Sequence, residues 1–234
     1  ASKTFVLVHG AWHGGWCWRR VADMLTAKGH KVFAPTLSGL CERSHLLSKD
    51  INVDTHVADI VNQVKWEDLS GFVLVGHSYA GIVVTEVAQQ IGPKIGSLVM
   101  LDAFYPQPGD SLFSMGSDTV KTLISGAEAR GDLALKPIPA AVFNVNAKDR
   151  AWVDSQCTPQ PLKTFLHKVS GVAGREKVGK KIYIRAKNYA SVPFDAALAR
   201  TKADNAWKTY EMACGHDAML DMPERLTEIL LEVA

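Results

Sequence analysis

At 234 residues, with 47% hydrophobic side chains and a formal charge of only +2, the chain can fill one sizeable core and generates no strong electrostatic field. Acids and bases are interspersed without a long like-charged run, which argues against a nucleic-acid or membrane-surface partner. No stretch nears the ~18 apolar residues of a membrane span, and the apolar run after Ala1-Ser2-Lys3 is too short for a signal-peptide core. Cys17, Cys41, Cys157 and Cys214 lack CxxC or zinc-ligand spacing. They read as buried thiols in a reducing compartment, so the expected location is cytoplasmic.

Taken in order, Phe5-Val6-Leu7-Val8 is a continuous apolar run, as expected of a strand buried on both faces. A helix from about Trp16 to Lys28, closed by Gly29, leads to Lys31-Val32-Phe33-Ala34. Asp54 is placed to cap the next helix, which carries Val57, Ile60, Val61 and Val64 at helical spacing. Phe72-Val73-Leu74-Val75, a helix over Ile82 to Gln90 and Ser97 to Leu101 follow. Strand alternating with helix predicts a doubly wound, mostly parallel sheet. From 107 to 180 the rhythm breaks into short helices and turns around Pro137, Pro139, Pro159 and Pro161. It resumes at Lys181-Ile182-Tyr183-Ile184, with a helix near Phe194 to Lys202, a strand near Trp207 to Met212 and a closing helix, Met222 to Val233. The expected organisation is a core in two parts, 1–106 and 181–234, with 107–180 inserted as a helical cap over the sheet edge where such folds place their ligands.

Val75-Gly76-His77-Ser78-Tyr79-Ala80-Gly81 lies between a buried strand and a helix, the setting in which a G-x-S-x-G serine is held in a strained turn with its hydroxyl exposed. The fifth position is Ala80, with glycine displaced to Gly81; the plainer alternative is a serine capping an ordinary helix. A serine nucleophile needs a base. His216, in the loop Cys214-Gly215-His216-Asp217 after the last strand, opens at the same sheet edge. His9-Gly10-Ala11-Trp12-His13-Gly14-Gly15-Trp16 follows the first strand and opens there too. It matches a loop that offers a backbone N–H to a developing oxyanion, with Ala11 as one donor and Tyr79 as the other. His9, His13 and His77 have no carboxylate or cysteine at ligand spacing, so no metal is expected; no dinucleotide fingerprint appears either, and no cofactor is expected.

These segments resemble the plant methylesterase and hydroxynitrile lyase group of α/β-hydrolases and its bacterial carboxylesterase relatives. HGAWHGGW, GHS and GHDAML occur in that order, and the similarity leaves the middle insertion largely unmatched. By resemblance, Ser78 and His216 take the nucleophile and base positions, and Ala11 and Tyr79 the oxyanion-hole positions. The group usually carries its acid after the strand equivalent to Lys181–Ile184, where this chain reads Arg185-Ala186-Lys187-Asn188-Tyr189 without a carboxylate. Other α/β-hydrolases place it at the end of the preceding core strand, where Asp102 stands; Asp195 is the second choice, and a weak or absent acid the third.

The expected activity is hydrolysis of small or medium apolar or aromatic carboxylic esters through an acyl-enzyme, with a small-molecule ester as partner. A non-enzymatic small-molecule receptor on the same fold is the alternative. A hydroxynitrile lyase ranks lower: those lyases carry threonine and lysine where this chain has Gly10 and Asp217, and an anionic Asp217 would repel cyanide. Trp12, His13, Phe104 and Trp152 are candidate pocket residues, with Leu112, Phe113, Met115, Phe143, Phe165 and Leu166 as further walls. Oligomeric state is not readable from the residues; the resemblance alone suggests a homodimer.

Overall fold

The computed structural model describes residues 1–234. In chain order its elements are β1 (Thr4–Val8), α1 (Arg19–Ala27), β2 (Lys31–Phe33), α2 (Val53–Trp66), β3 (Phe72–His77), α3 (Ala80–Ile91) and β4 (Ile95–Leu101). The middle of the chain forms α4 (Leu112–Met115), α5 (Asp118–Arg130), β5 (Ala134–Leu135), α6 (Arg150–Gln156), β6 (Gln160–Pro161) and α7 (Ala173–Glu176). Then come β7 (Lys180–Ala186), α8 (Val192–Lys202), β8 (Trp207–Met212), α9 (Ala218–Asp221) and α10 (Pro223–Val233). Six strands make one parallel sheet in the order β2-β1-β3-β4-β7-β8. This is the α/β-hydrolase fold, with helices on both faces of the sheet.

The continuous apolar runs follow from burial on both faces. Successive strand side chains point to opposite sides, so Val6 and Val8 enter one core cluster while Phe5 and Leu7 enter the other. Leu74 and Leu98 join the first cluster, and Val73, Val75 and Val99 the second. All of these are at most 2% exposed, and each fully buried side chain of this kind contributes about 1.5–3 kcal/mol. A polar residue in β1 or β3 would therefore cost stability whichever way it pointed.

Four local expectations are corrected. Asp54 does not cap α2; Asn52 does, accepting from Thr55 N–H at 3.2 Å while Thr55 returns a bond to Asn52 N–H. The helix expected from Trp16 to Lys28 begins as a 3₁₀ turn, Gly15–Trp18, before α1. The middle segment is more ordered than short helices and turns: α5 runs 13 residues, started by the Ser117 side chain and stopped by left-handed Gly131, and β5 pairs antiparallel with β6. Only half of the thiols are buried: Cys17 and Cys214 are, and Cys41 and Cys157 are half-buried.

That middle segment is tied to the sheet edge by polar contacts. Trp12 N–H donates to Gln160 Oε1 and Trp12 Nε1–H to the Leu135 carbonyl, both at 3.0 Å. On the other flank Glu86 of α3 accepts from His167 Nε2–H at 2.6 Å and from Ser170 N–H at 3.0 Å.

Candidate active site

Parallel strands bring their carboxyl ends to one edge, and every predicted site residue that carries chemistry follows such an end. Ser78 follows β3, Asp102 follows β4, Ala11 follows β1 and His216 follows β8. Ser78 has φ +56° and Asp102 φ +40°, conformations that side-chain-bearing residues rarely adopt. The turn at Ser78 is over-determined: its N–H donates to the Leu101 carbonyl at 3.3 Å, and its carbonyl accepts from Gly81 at 3.0 Å and Phe104 at 3.2 Å. Around it the chain has no room. A Cβ on Gly10 would lie 2.9 Å from Ser78 Cβ, and one on Gly76 2.8 Å from Val84 Cγ1. A Cβ on Gly81 would run into the Phe104 carbonyl oxygen, which explains why the glycine is needed at 81 while Ala80 is accommodated, fully buried, at 80.

His216 Nδ1 lies 2.6 Å from Asp102 Oδ2. The other carboxylate oxygen of Asp102 accepts from Arg185 at 2.8 Å and from Ala186 N–H at 2.9 Å. With the carboxylate accepting, Nδ1 is the protonated nitrogen, which leaves Nε2 with its lone pair free of any protein partner. Ser78 and His216 both line a cavity of about 730 Å³. Ala11 and Tyr79, both buried, also line it, and their backbone N–H groups take no protein acceptor. Tyr79 is fixed from behind, its hydroxyl bonded to His56 Nδ1 at 2.9 Å. Burial holds His56 down at about 4, so it stays neutral, accepting from Tyr79 and donating through Nε2 to the Ser38 carbonyl. Together these groups can abstract a proton from a hydroxyl, hold a carbonyl oxygen as it gains charge, and return the proton to a leaving group.

The structure brings Asp102, not Asp195, to His216. Asp195 lies on α8 with its side chain 71% exposed and pairs with Arg185 at 2.9 Å. Sequence reasoning missed Arg185 itself. Its guanidinium, 2% exposed, bridges Asp102 and Asp195 and donates to the Ala186 and Tyr189 carbonyls. The signal was available: an arginine inside an apolar strand, Ile182-Tyr183-Ile184-Arg185, demands a buried acceptor. Arg185, near the end of β7, is the cation that steadies an acid from the neighbouring β4.

Two candidate pocket residues are corrected. Trp12 and Phe104 line the cavity, but His13 and Trp152 do not. His13 turns inward, donating to the Ala11 carbonyl at 2.8 Å and to Asp217 Oδ2 at 2.7 Å. Burial works against its charge, yet the Asp217 carboxylate prevails and its pKa rises; the same pairing overcomes burial at Asp217 and keeps that carboxyl ionised well below the usual range. Trp152 packs edge-on against Trp16, with Arg19 and Arg20 over its ring, because α6 lies outside the cavity wall. Asp217 is fully buried against His13 and does not line the cavity, so contrary to the sequence expectation it presents no charge there to repel cyanide. His77 donates through Nε2 to the His216 carbonyl at 2.8 Å and is held at about 3 by burial and its neighbours, so it braces the His216 loop as a neutral ring. His9 is also held neutral at about 3 by burial, accepting from Leu37 N–H at 2.9 Å. Of the further wall candidates, Leu112, Met115, Phe143 and Phe165 line the cavity; Phe113 and Leu166 pack against the core instead.

A model of the alpha/beta hydrolase family matches residues 5–229. The chain belongs to that family. It is 40% identical to a carbendazim hydrolyzing esterase from a Nocardioides strain, over 97% of both chains. It is 26% identical to Methylesterase 10 of Arabidopsis thaliana, over 98% of this chain and 91% of the relative. Among solved structures, an extracellular alpha/beta-hydrolase from a Paenibacillus species superposes with a TM-score of 0.86 at 22% identity, over 99% of both chains. The family and its full-length esterase relatives make the chain a hydrolase of the carboxylic-ester kind. No helix is long and apolar enough to cross a membrane.

Proposed function

We propose that the protein hydrolyses small to medium carboxylic esters with an apolar or aromatic acyl group, through an acyl-enzyme on Ser78. The observation that carries this reading is the Asp102–His216 pair, which leaves only Nε2 free on a histidine that lines the same cavity as Ser78. His216 takes the Ser78 proton as Oγ attacks the carbonyl carbon, and Ala11 and Tyr79 N–H hold the oxyanion. His216 then protonates the leaving alcohol, and water, activated by the same nitrogen, releases the acid. Trp12, Phe104, Phe165 and Phe194 supply apolar walls, in keeping with a ligand that carries little charge. The 40%-identical relative is named for carbendazim hydrolysis, which supports including aromatic carbamate esters in the substrate class.

Hydroxynitrile lyase activity is disfavoured by Gly10, where a threonine would collide with Ser78 Cβ. A receptor role is disfavoured by the complete set of proton-transfer and oxyanion groups around Ser78. Four unpaired cysteines support a reducing, cytoplasmic setting. The test is a panel of p-nitrophenyl and methyl esters with the wild type and Ser78→Ala. Turnover that Ser78→Ala reduces by roughly 10³-fold or more supports the reading. A wild type inert on the whole panel contradicts it and returns the receptor role to first place.

A further inference from the structure

A second open space adjoins the cavity over Ser78. It measures about 1170 Å³ against about 730 Å³ for the inner one. Ser117, Val120, Ile138, Phe143 and Tyr189 line both, so the two are lobes of one cleft separated by a waist. The outer lobe is walled by Leu123, Leu133, Val142, Pro137 and Pro139. Leu123 is 43% exposed, Leu133 50% and Val142 59%, so three of the six large exposed apolar side chains of the protein gather in this groove. Of the charges that line it, Arg130 and Asp132 pair with one another at 3.0 Å, and the exposed Lys136 is the remaining one. Lone exposed apolar residues are ordinary; a cluster continuous with a catalytic cavity marks a place for apolar ligand.

Resting on the esterase reading, we infer that the outer groove binds the alcohol half of the substrate, and that the preferred esters carry an extended apolar alcohol. The waist decides which half goes where. A leaving alkoxide must lie within reach of His216 Nε2 to be protonated. The Phe143 ring sits 5.3 Å and the Tyr189 ring 4.8 Å from the His216 ring, centroid to centroid, and both rings form the waist. The exit on the histidine side therefore opens into the outer groove. Trp12, Leu112, Met115 and Phe165 line the inner lobe alone and are left to the acyl group. Position is also maintained at the waist: the Phe143 carbonyl accepts His216 N–H at 3.0 Å, so the waist and the base share one anchor.

The experiment holds the acyl group constant as benzoyl and lengthens the alcohol from methyl to octyl, below the micellar range. The groove predicts that kcat/KM climbs with chain length by up to about fourfold per methylene until it is filled. In Leu133→Asp and Val142→Asp, both on the exposed wall, the octyl-to-methyl ratio of kcat/KM drops at least tenfold, while the ratio across an acyl-length series with methanol as leaving group does not move. A flat alcohol series in an active wild type overturns the inference and leaves the esterase reading standing. So does a loss that appears in the acyl series instead. Binding to Ser78→Ala, measured by calorimetry, gives a readout without turnover: octyl benzoate binding at least tenfold tighter than methyl benzoate supports the groove, and equal affinities overturn it. No cleavage of any ester by the wild type removes the underlying reading, and is distinguishable because the binding arm remains interpretable.

Discussion

Two histidine–aspartate pairs lie side by side at the carboxyl edge of the sheet, and the chain interleaves them, since His216 belongs to one and Asp217 to the other. The contact distances are nearly equal, 2.6 Å for His216–Asp102 and 2.7 Å for His13–Asp217. Their surroundings differ. His13 spends both ring nitrogens on protein acceptors, Asp217 and the Ala11 carbonyl, so it is held as a cation with nothing left to exchange. His216 spends one and keeps Nε2 for the cavity. Asp102 is steadied by Arg185 and Ala186 N–H, whereas Asp217 relies on His13. A buried His–Asp contact is thus not itself a catalytic signature; the unspent nitrogen is.

Substitutions at the two aspartates should separate the pairs. Asp102→Asn breaks the buried pair with Arg185 and permits the wrong His216 tautomer, so stability falls and kcat per folded molecule on an aryl ester is expected to drop about 10⁴-fold. Asp217→Asn should lose stability without the catalytic collapse. Removing one partner of a buried ion pair costs about 3–5 kcal/mol of stability, read from urea unfolding, while kcat per folded molecule changes less than tenfold. A catalytic collapse in Asp217→Asn with normal stability would erase the distinction between the pairs.

Stability against pH sharpens the same contrast. His13 carries a raised pKa in the folded state, so its contribution is complete below the unfolded value of about 6.5 and is lost as pH rises through the folded value. His9 and His77, held at about 3, and His56, at about 4, act oppositely. Their unfolded forms take up protons below about 6.5 while the folded forms do not, so stability falls as pH drops from there towards 3. Urea midpoints should peak near neutrality; His13→Gln should flatten the alkaline side, and it shifts the acid side as well because the buried Asp217 carboxylate loses the partner that keeps it ionised. An alkaline side unchanged in that variant would mean that His13 is neutral when folded.

The smallest expected effect is at Asp195. Its exposed, screened contact with Arg185 makes Asp195→Asn a change of no more than about twofold in kcat. This residue also shows where sequence reading stops. The sheet was legible because two-sided burial forces unbroken apolar runs such as Phe5–Val8 and Phe72–Val75, and the edge loops were legible because the nucleophile turn, the HGAW loop and the GHD loop all follow strand ends. The preference for Asp102 over Asp195 rests in the sequence on analogy with other α/β-hydrolases, and the pairing of β4 with β7 supplies the physical reason. Arg185 went unseen although it was the clue to that choice: a buried charge in β7 must be met by one from an adjacent strand. His13 and Trp152 were misplaced because loop side chains can point to either side, and no periodicity says which. The outer groove was illegible for a related reason. It is made by the turn of the 132–143 segment against α5, and exposed leucines in a sequence look no different from buried ones.

The most direct test of the central claim is to mix the wild type with a p-nitrophenyl ester, follow the first turnover, and quench for intact-mass and peptide analysis. The account predicts a burst of p-nitrophenolate close to one equivalent and an acyl adduct on Ser78, both absent in Ser78→Ala and strongly slowed in Asp102→Asn. Steady release without an adduct, persisting in Ser78→Ala, would contradict it.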